Sequence, residues 1–174
     1  MTGFVLWFTG LSASGKSAIA DRVAEKLKER GLKIERLDGD IVRESLTKDL
    51  GFTEEDRNEN IKRVTFVAKL LSRNDVGVIA SFISPYRAIR NHVREEVTNF
   101  VEIFAHCPVD VCIERDPKGL YKQALNGEIE NFTGISHPYE EPKNPDILLR
   151  TDKETPDESA EKVIERMEEM DLIS

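Results

Sequence analysis

Cysteine is nearly absent from this sequence: among 174 residues there are two, Cys107 and Cys112. They lack a Cys-x-x-Cys spacing, so neither a disulfide framework nor a thiolate zinc site is indicated. Both read as small buried hydrophobes in a reducing compartment. Histidine is as scarce, and His92, His106 and His137 are scattered, without the ligand spacing of a zinc centre. A metal here would be held by oxygen. No apolar run approaches the roughly 20 residues that span a bilayer. Met1-Thr2-Gly3 carries no basic stretch, and the run Phe4 to Phe8 is too short for a signal peptide. The expectation is a cytoplasmic protein with no membrane partner. Positive charge is also in deficit, with 25 Lys and Arg against 33 Asp and Glu and a net charge of −8. Such a surface repels a polyanion and argues against nucleic acid as a partner. A local basic pocket for a small anion remains compatible with it.

What is present is an alternation of apolar runs and helical stripes. Phe4 to Thr9 is a continuous apolar run ending at Gly10, the pattern of a strand buried on both faces. Ala20, Val23, Ala24 and Leu27 then follow a helical spacing that stops at Gly31. Leu32 to Leu37, Val76 to Ile83, Phe100 to Ala105 and Ile147 to Leu149 read as four further strands. Asp40 to Lys48 reads as a short helix. Thr53-Glu54-Glu55-Asp56 reads as a capping box ahead of a stripe through Ile61, Val64, Ala68 and Leu71. Pro85 suits the first position of a helix carrying Ile89, Val93 and Val97. Thr155-Pro156-Asp157-Glu158 opens a last helix with Val163, Ile164 and Met167. The sum is an α/β fold with a five-stranded parallel sheet, helices on both faces and one domain over residues 1–174. Asp116 to Asp146 shows no apolar period. A structureless stretch of about thirty residues is uncommon in a compact domain, and the expectation is a mobile lid over about 116–146.

The motifs fall at the carboxyl ends of the strands, where such sheets bind ligands. Gly10-Leu11-Ser12-Ala13-Ser14-Gly15-Lys16-Ser17 fits G-x-x-x-x-G-K-[ST] between a buried strand and an amphipathic helix. In that pattern backbone N–H groups and the helix dipole hold phosphate oxygens, the lysine reaches the β/γ-phosphates and the serine hydroxyl ligates magnesium. Asp38-Gly39-Asp40 reads either as a turn or as two carboxylates beside the phosphate site. In the second reading Asp38 organises Mg²⁺ and its waters while Asp40 accepts a hydroxyl proton. Arg43, Arg57, Asn60 and Arg63 read either as a solvated face or as the hold on an anionic substrate, for which arginine offers a bidentate fork. Ser84 is either the N-cap before Pro85 or a hydroxyl placed with Arg87 in the same cleft. Phe132, between Asn131 and Thr133, is a local anchor or a platform on which a base stacks. Asp116-Pro117-Lys118-Gly119 matches the short D-x-x-G of GTPases, but no Asn-Lys-x-Asp follows to read guanine.

Taken together, GLSASGKS, LDGD with Arg43, LGFTEEDRNENI, FISPYR, ERDPKGLY and FTGI with Pro138-Tyr139-Glu140 following resemble the adenylylsulfate kinase family, in the family's order from residue 3 to about 152. FISPYR and DPKGLY are specific to that family among P-loop kinases. The resemblance implies the P-loop kinase fold and the reaction of ATP with adenosine 5′-phosphosulfate, with Mg²⁺, to give ADP and 3′-phosphoadenylylsulfate. It implies that Gly10 and Ser12 to Ser17 hold ATP, joined by Arg115. It further implies that Asp40, Arg43, Phe52, Arg57, Asn60, Ile83, Ser84, Lys118, Asn131 and Phe132 line the adenylylsulfate site. Phe52 and Phe132 would sandwich the adenine, while Arg57 and Asn60 meet the phosphosulfate. Family descriptions also assign the serine of FISPYR, here Ser84, as a phosphoserine intermediate, which a direct in-line transfer does not need. A homodimer and an association with a sulfate adenylyltransferase are implied as well. The sequence departs from the family at Ala13, where a glycine is usual. Two other classes compete: a shikimate-like P-loop kinase, and a nucleotide-binding regulatory domain without catalysis. The paired rings Phe52 and Phe132 speak against the first, and intact Lys16, Ser17 and Asp40 against the second.

Overall fold

The run Phe4–Thr9 forms β1, and every one of its side chains is buried. Only an inner strand has both faces covered, and in this computed structural model, which describes residues 2–174, β1 is the middle strand. It pairs in parallel with β3 (Gly77–Ser81) and β4 (Phe100–His106), with β2 (Ile34–Asp38) and β5 (Ile147–Arg150) at the edges. The period of two divides β1 between two cores. Phe4, Leu6 and Phe8 pack with α1 (Lys16–Glu29) and α7 (Pro156–Glu169). Val5 and Trp7 pack with α3 (Glu54–Ser72) and α4 (Arg87–Glu96) on the other face. The five-stranded parallel sheet covered on both sides is thus the one the sequence pattern called for.

Three local expectations need correction. The capping box at α3 is only half closed. Thr53 accepts from the Asp56 N–H, but the Asp56 carboxylate turns to the Gly51 N–H, 2.9 Å away. Aspartate is one methylene shorter than the glutamate that completes such a box, whereas Glu158 completes the one at Thr155. Pro85 is not the first residue of α4, which begins at Arg87 with Tyr86 in the cap position. Ser84 therefore caps nothing; its φ of +41° takes the chain into a left-handed turn ahead of the helix. The helix expected over Asp40 to Lys48 is the shorter α2 (Gly39–Glu44).

Asp116 to Asp146 is not structureless either. It follows α5 (Val109–Arg115) and contains α6 (Leu120–Leu125), whose first N–H groups, those of Tyr121 and Lys122, are capped by the Asp116 carboxylate. A six-residue helix buries only Tyr121 and Ala124, too few points to show a period. Tyr121 joins Cys107 and Cys112 in a third small core, against which Leu11 and Phe132 pack.

Candidate active site

The phosphate loop leaves β1 at Gly10, where a side chain would strike the Ala105 carbonyl at 2.6 Å, and enters α1 through Gly15 at φ +92°. Ala13 sits at φ +63°, which explains why glycine is the easier residue there; the methyl is carried at some strain. The Tyr121 hydroxyl donates to the Ser12 carbonyl (2.7 Å), bracing the loop from α6. Arg115, expected to bind nucleotide, lies outside the cavity lining and ties the Ala13 and Thr151 carbonyls together. Lys16 is buried, and its ammonium donates to the Leu11 carbonyl at 2.7 Å. Burial lowers its pKa to about 8, although Cys112, Asp38 and Asp40 act in the opposite direction.

Next to it the Ser17 hydroxyl donates to Asp38 at 2.7 Å. Burial pushes the Asp38 carboxyl up, but hydrogen bonds from Ser17, Ser81 and the Asp40 N–H, with Arg36 nearby, outweigh it and hold the group below its usual range. Arg36 was not singled out in the sequence. Its guanidinium lies 3.5 Å from Asp38 and also reaches Ser81 and the Ile79 carbonyl, so it orients the carboxylate. A hydroxyl and one ionised carboxylate at the mouth of a phosphate loop suit Mg²⁺, which takes one or two protein oxygens and completes its octahedron from water and phosphate. No group of three or more His, Cys, Asp or Glu side chains that could hold a metal ion occurs among the described residues.

Beyond the loop lies a cavity of about 640 Å³. Into it come residues from separate parts of the chain: Lys16, Asp40, Phe52, Asn60, Lys118 and Phe132. Arg43, Arg57, Ile83, Ser84 and Asn131 line it too, so all ten residues expected on the acceptor side converge here. Phe52 is 60% exposed and lies under the Arg43 guanidinium at 4.3 Å, while Phe132 rests edge-on against Tyr121 at 5.0 Å. Desolvation lowers the pKa of both Arg43 and Arg57, each of which remains a cation. The Asn60 amide oxygen is buried without a partner and so offers an unused acceptor.

Several of the grouped residues play other parts. Arg57 donates to Phe52 O, Thr133 Oγ1 and Asn131 O at 2.9, 2.7 and 2.6 Å, tying α3 to residues 131–133. Arg63 turns away to a bidentate pair with Asp49. Arg87 is absent from the cavity wall and donates to the Glu141 carbonyl. The Ser84 hydroxyl is occupied, accepting from the Trp7 indole N–H at 3.0 Å and lying 3.2 Å from both Thr9 Oγ1 and the Phe82 carbonyl. Neither Trp7 nor Thr9 carried a motif that would have marked it, and Thr133, although inside FTGI, was assigned no role.

The sequence profile described as adenylylsulphate kinase matches residues 2–150. The chain belongs to the adenylylsulfate kinase family. A probable adenylyl-sulfate kinase of Pseudomonas aeruginosa is 63% identical over 94% of this chain and 77% of its own length. The adenylyl-sulfate kinase of Halothermothrix orenii is 58% identical over 99% and 93%. Among solved structures, the Mycobacterium tuberculosis APS kinase CysC in complex with AMPPNP and APS superposes with a TM-score of 0.93. It is 44% identical, over 96% of this chain and 98% of that one. The fold of an adenylylsulfate kinase is therefore the fold of this chain, with the phosphate loop at the carboxyl end of the middle strand.

Proposed function

We infer that this chain transfers the γ-phosphoryl group of ATP to the 3′-hydroxyl of adenosine 5′-phosphosulfate, releasing ADP and 3′-phosphoadenylylsulfate. The observation that carries this reading is the shared cavity, in which a phosphate loop faces two aromatic rings, Phe52 and Phe132, with cations around them. A phosphoryl donor and a base-bearing anionic acceptor fit that arrangement, whereas a small polyol would leave the rings unused.

In this reading Lys16 and the loop N–H groups hold the β- and γ-phosphates. Ser17 and Asp38 would hold Mg²⁺, which when bound neutralises charge on the phosphates. Asp40 accepts the 3′-hydroxyl proton, with Lys118, its ion-pair partner, close by to meet the anion. Phe52 and Phe132 take the two faces of adenine, and Arg57 and Asn60 serve the phosphosulfate end, with Arg43 lining the same cavity. The Ser84 hydroxyl accepts no phosphoryl group: it is buried and hydrogen-bonded, and an in-line transfer needs no enzyme nucleophile. Arg115 acts through the nucleotide side of the loop. The enzyme works in the cytoplasm as a homodimer, near an adenylyltransferase that supplies its substrate. No helix among the described residues is long and apolar enough to cross a membrane.

The test is ATP turnover with adenylylsulfate beside AMP, shikimate and gluconate. Turnover with adenylylsulfate alone is expected. Preference for shikimate or gluconate would overturn the assignment of the rings.

A further inference from the structure

Arg90 is a cation with 1% of its surface exposed, and it touches neither the phosphate loop nor the cavity. Removing a guanidinium from water carries a desolvation penalty that one carboxylate seldom repays. Its counter-charge is Glu102 on β4, 3.4 Å away and buried as well. The fork itself points elsewhere: it donates to the Ser84 carbonyl at 2.6 Å and to the Glu140 carbonyl at 2.5 Å.

Those two carbonyls belong to the acceptor wall and to the segment that crosses behind it. Ser84 lines the cavity in a left-handed conformation that a residue with a side chain adopts only when its surroundings impose it. Residues 139–141 are fastened along the same turn. The Glu140 N–H donates to the Pro85 carbonyl at 2.8 Å, and the Glu140 carboxylate accepts from the Arg87 N–H at 2.9 Å. The Thr9 hydroxyl has one proton and places it on the Ile83 carbonyl at 2.7 Å, so the Tyr139 hydroxyl, 2.8 Å away, is the donor to Thr9. The Tyr139 ring in turn lies 5.7 Å from the Arg90 guanidinium.

We propose that Arg90 is a positioning residue for the acceptor: its buried fork locks the Ser84–Pro85 turn against the 139–141 strap and so fixes the acceptor wall of the cavity. This rests on the kinase reading above. The rival role is a purely structural ion pair with Glu102.

Two readouts separate the roles. One is steady-state kinetics with each substrate varied. The other is the indole N–H resonance of Trp7, the single tryptophan, which reports directly on the Ser84 hydroxyl. Arg90→Lys keeps a cation near Glu102, but an ammonium lacks the planar fork that spans both carbonyls. It is expected to lower kcat/KM for adenylylsulfate by about tenfold or more, the scale of a small misplacement in an active site, with the KM for ATP unchanged and the indole resonance shifted. Arg94→Gln removes a cation that pairs with Asp146 and lies near Glu102 but contacts neither carbonyl, and should move neither readout. Should Arg90→Lys fail to fold, Tyr139→Phe removes a single hydroxyl from the strap and should shift the same two readouts less far. Wild-type acceptor kinetics and indole resonance in the folded variant would overturn the proposal, as would a parallel rise in both KM values. A wild type inactive on adenylylsulfate would instead overturn the kinase reading, and the indole resonance would still decide whether Arg90 holds Ser84.

Discussion

Lys118 pairs with Asp40 across the mouth of the cavity, joining the short turn between α5 and α6 to the first turn of α2. Both side chains are largely exposed, 56% and 72%, so the pair is easily opened by an arriving substrate. The contact places a carboxylate and a cation at the same spot in the cavity lining. Asp40→Asn is expected to lower turnover by roughly 10²-fold or more, the usual scale for a positioned base, while ATP binds as before. Kinetics with a parallel nucleotide titration checks this. A wild-type rate would make Asp40 a turn residue and direct attention to Asp38.

Ser84 supplies a sharper contrast. Its hydroxyl accepts from Trp7, so Ser84→Ala leaves a buried indole N–H without an acceptor and should lose about 1–3 kcal/mol of stability. Measurable kinase activity should remain. Complete loss of turnover in a folded variant, with label from ATP appearing on Ser84 of the wild type, would establish the phosphoserine route instead.

The two rings invite a double-mutant cycle. Phe132→Ala and Phe52→Ala should each weaken adenylylsulfate by roughly 1–3 kcal/mol with little effect on ATP. Together they should lose less than the sum, because a base already released on one face tilts and hydrates. Calorimetric titration of both singles and the double in the presence of ADP gives the answer. Unchanged adenylylsulfate affinity in Phe132→Ala would remove the lid from acceptor recognition.

Lys16 should make nucleotide binding sensitive to pH. Burial depresses its folded pKa to about 8 from 10.5. Between those values the unfolded chain binds more protons, so this group's share of stability rises as pH climbs through 8 toward 10.5. Phosphate oxygens favour the ammonium, so ATP bound slightly above pH 8 should take up a proton, and affinity should fall as pH rises further. Titrations in two buffers of different ionisation enthalpy measure that uptake, which Lys16→Met should abolish. Absence of proton uptake in the wild type would mean that Lys16 is already charged in the free protein.

Much of this protein was determined by sequence alone. The apolar runs and helical stripes are local signals, and they fix the parallel sheet, the two cores and the order of the elements because burial on both faces leaves few alternatives. The phosphate loop is equally local: its glycines, Lys16 and Ser17 are neighbours in the chain, so their spacing already states their geometry. The acceptor residues lay in motifs scattered over about ninety residues, and the family resemblance, not periodicity, brought them together on paper. Only the tertiary structure decided how each side chain is used. Arg57 and Arg63 share a helix and a charge, yet one ties α3 to residues 131–133 and the other pairs with Asp49 at the surface. Ser84 sits before a proline as a cap would, yet a left-handed turn points its hydroxyl to Trp7. Arg36 and Arg90 stand in no motif, and Tyr139, in the Pro-Tyr-Glu that follows FTGI, carried no assigned role; their partners include carbonyls and a hydroxyl far away along the chain, and hydrogen bonds across that distance leave no trace in local spacing.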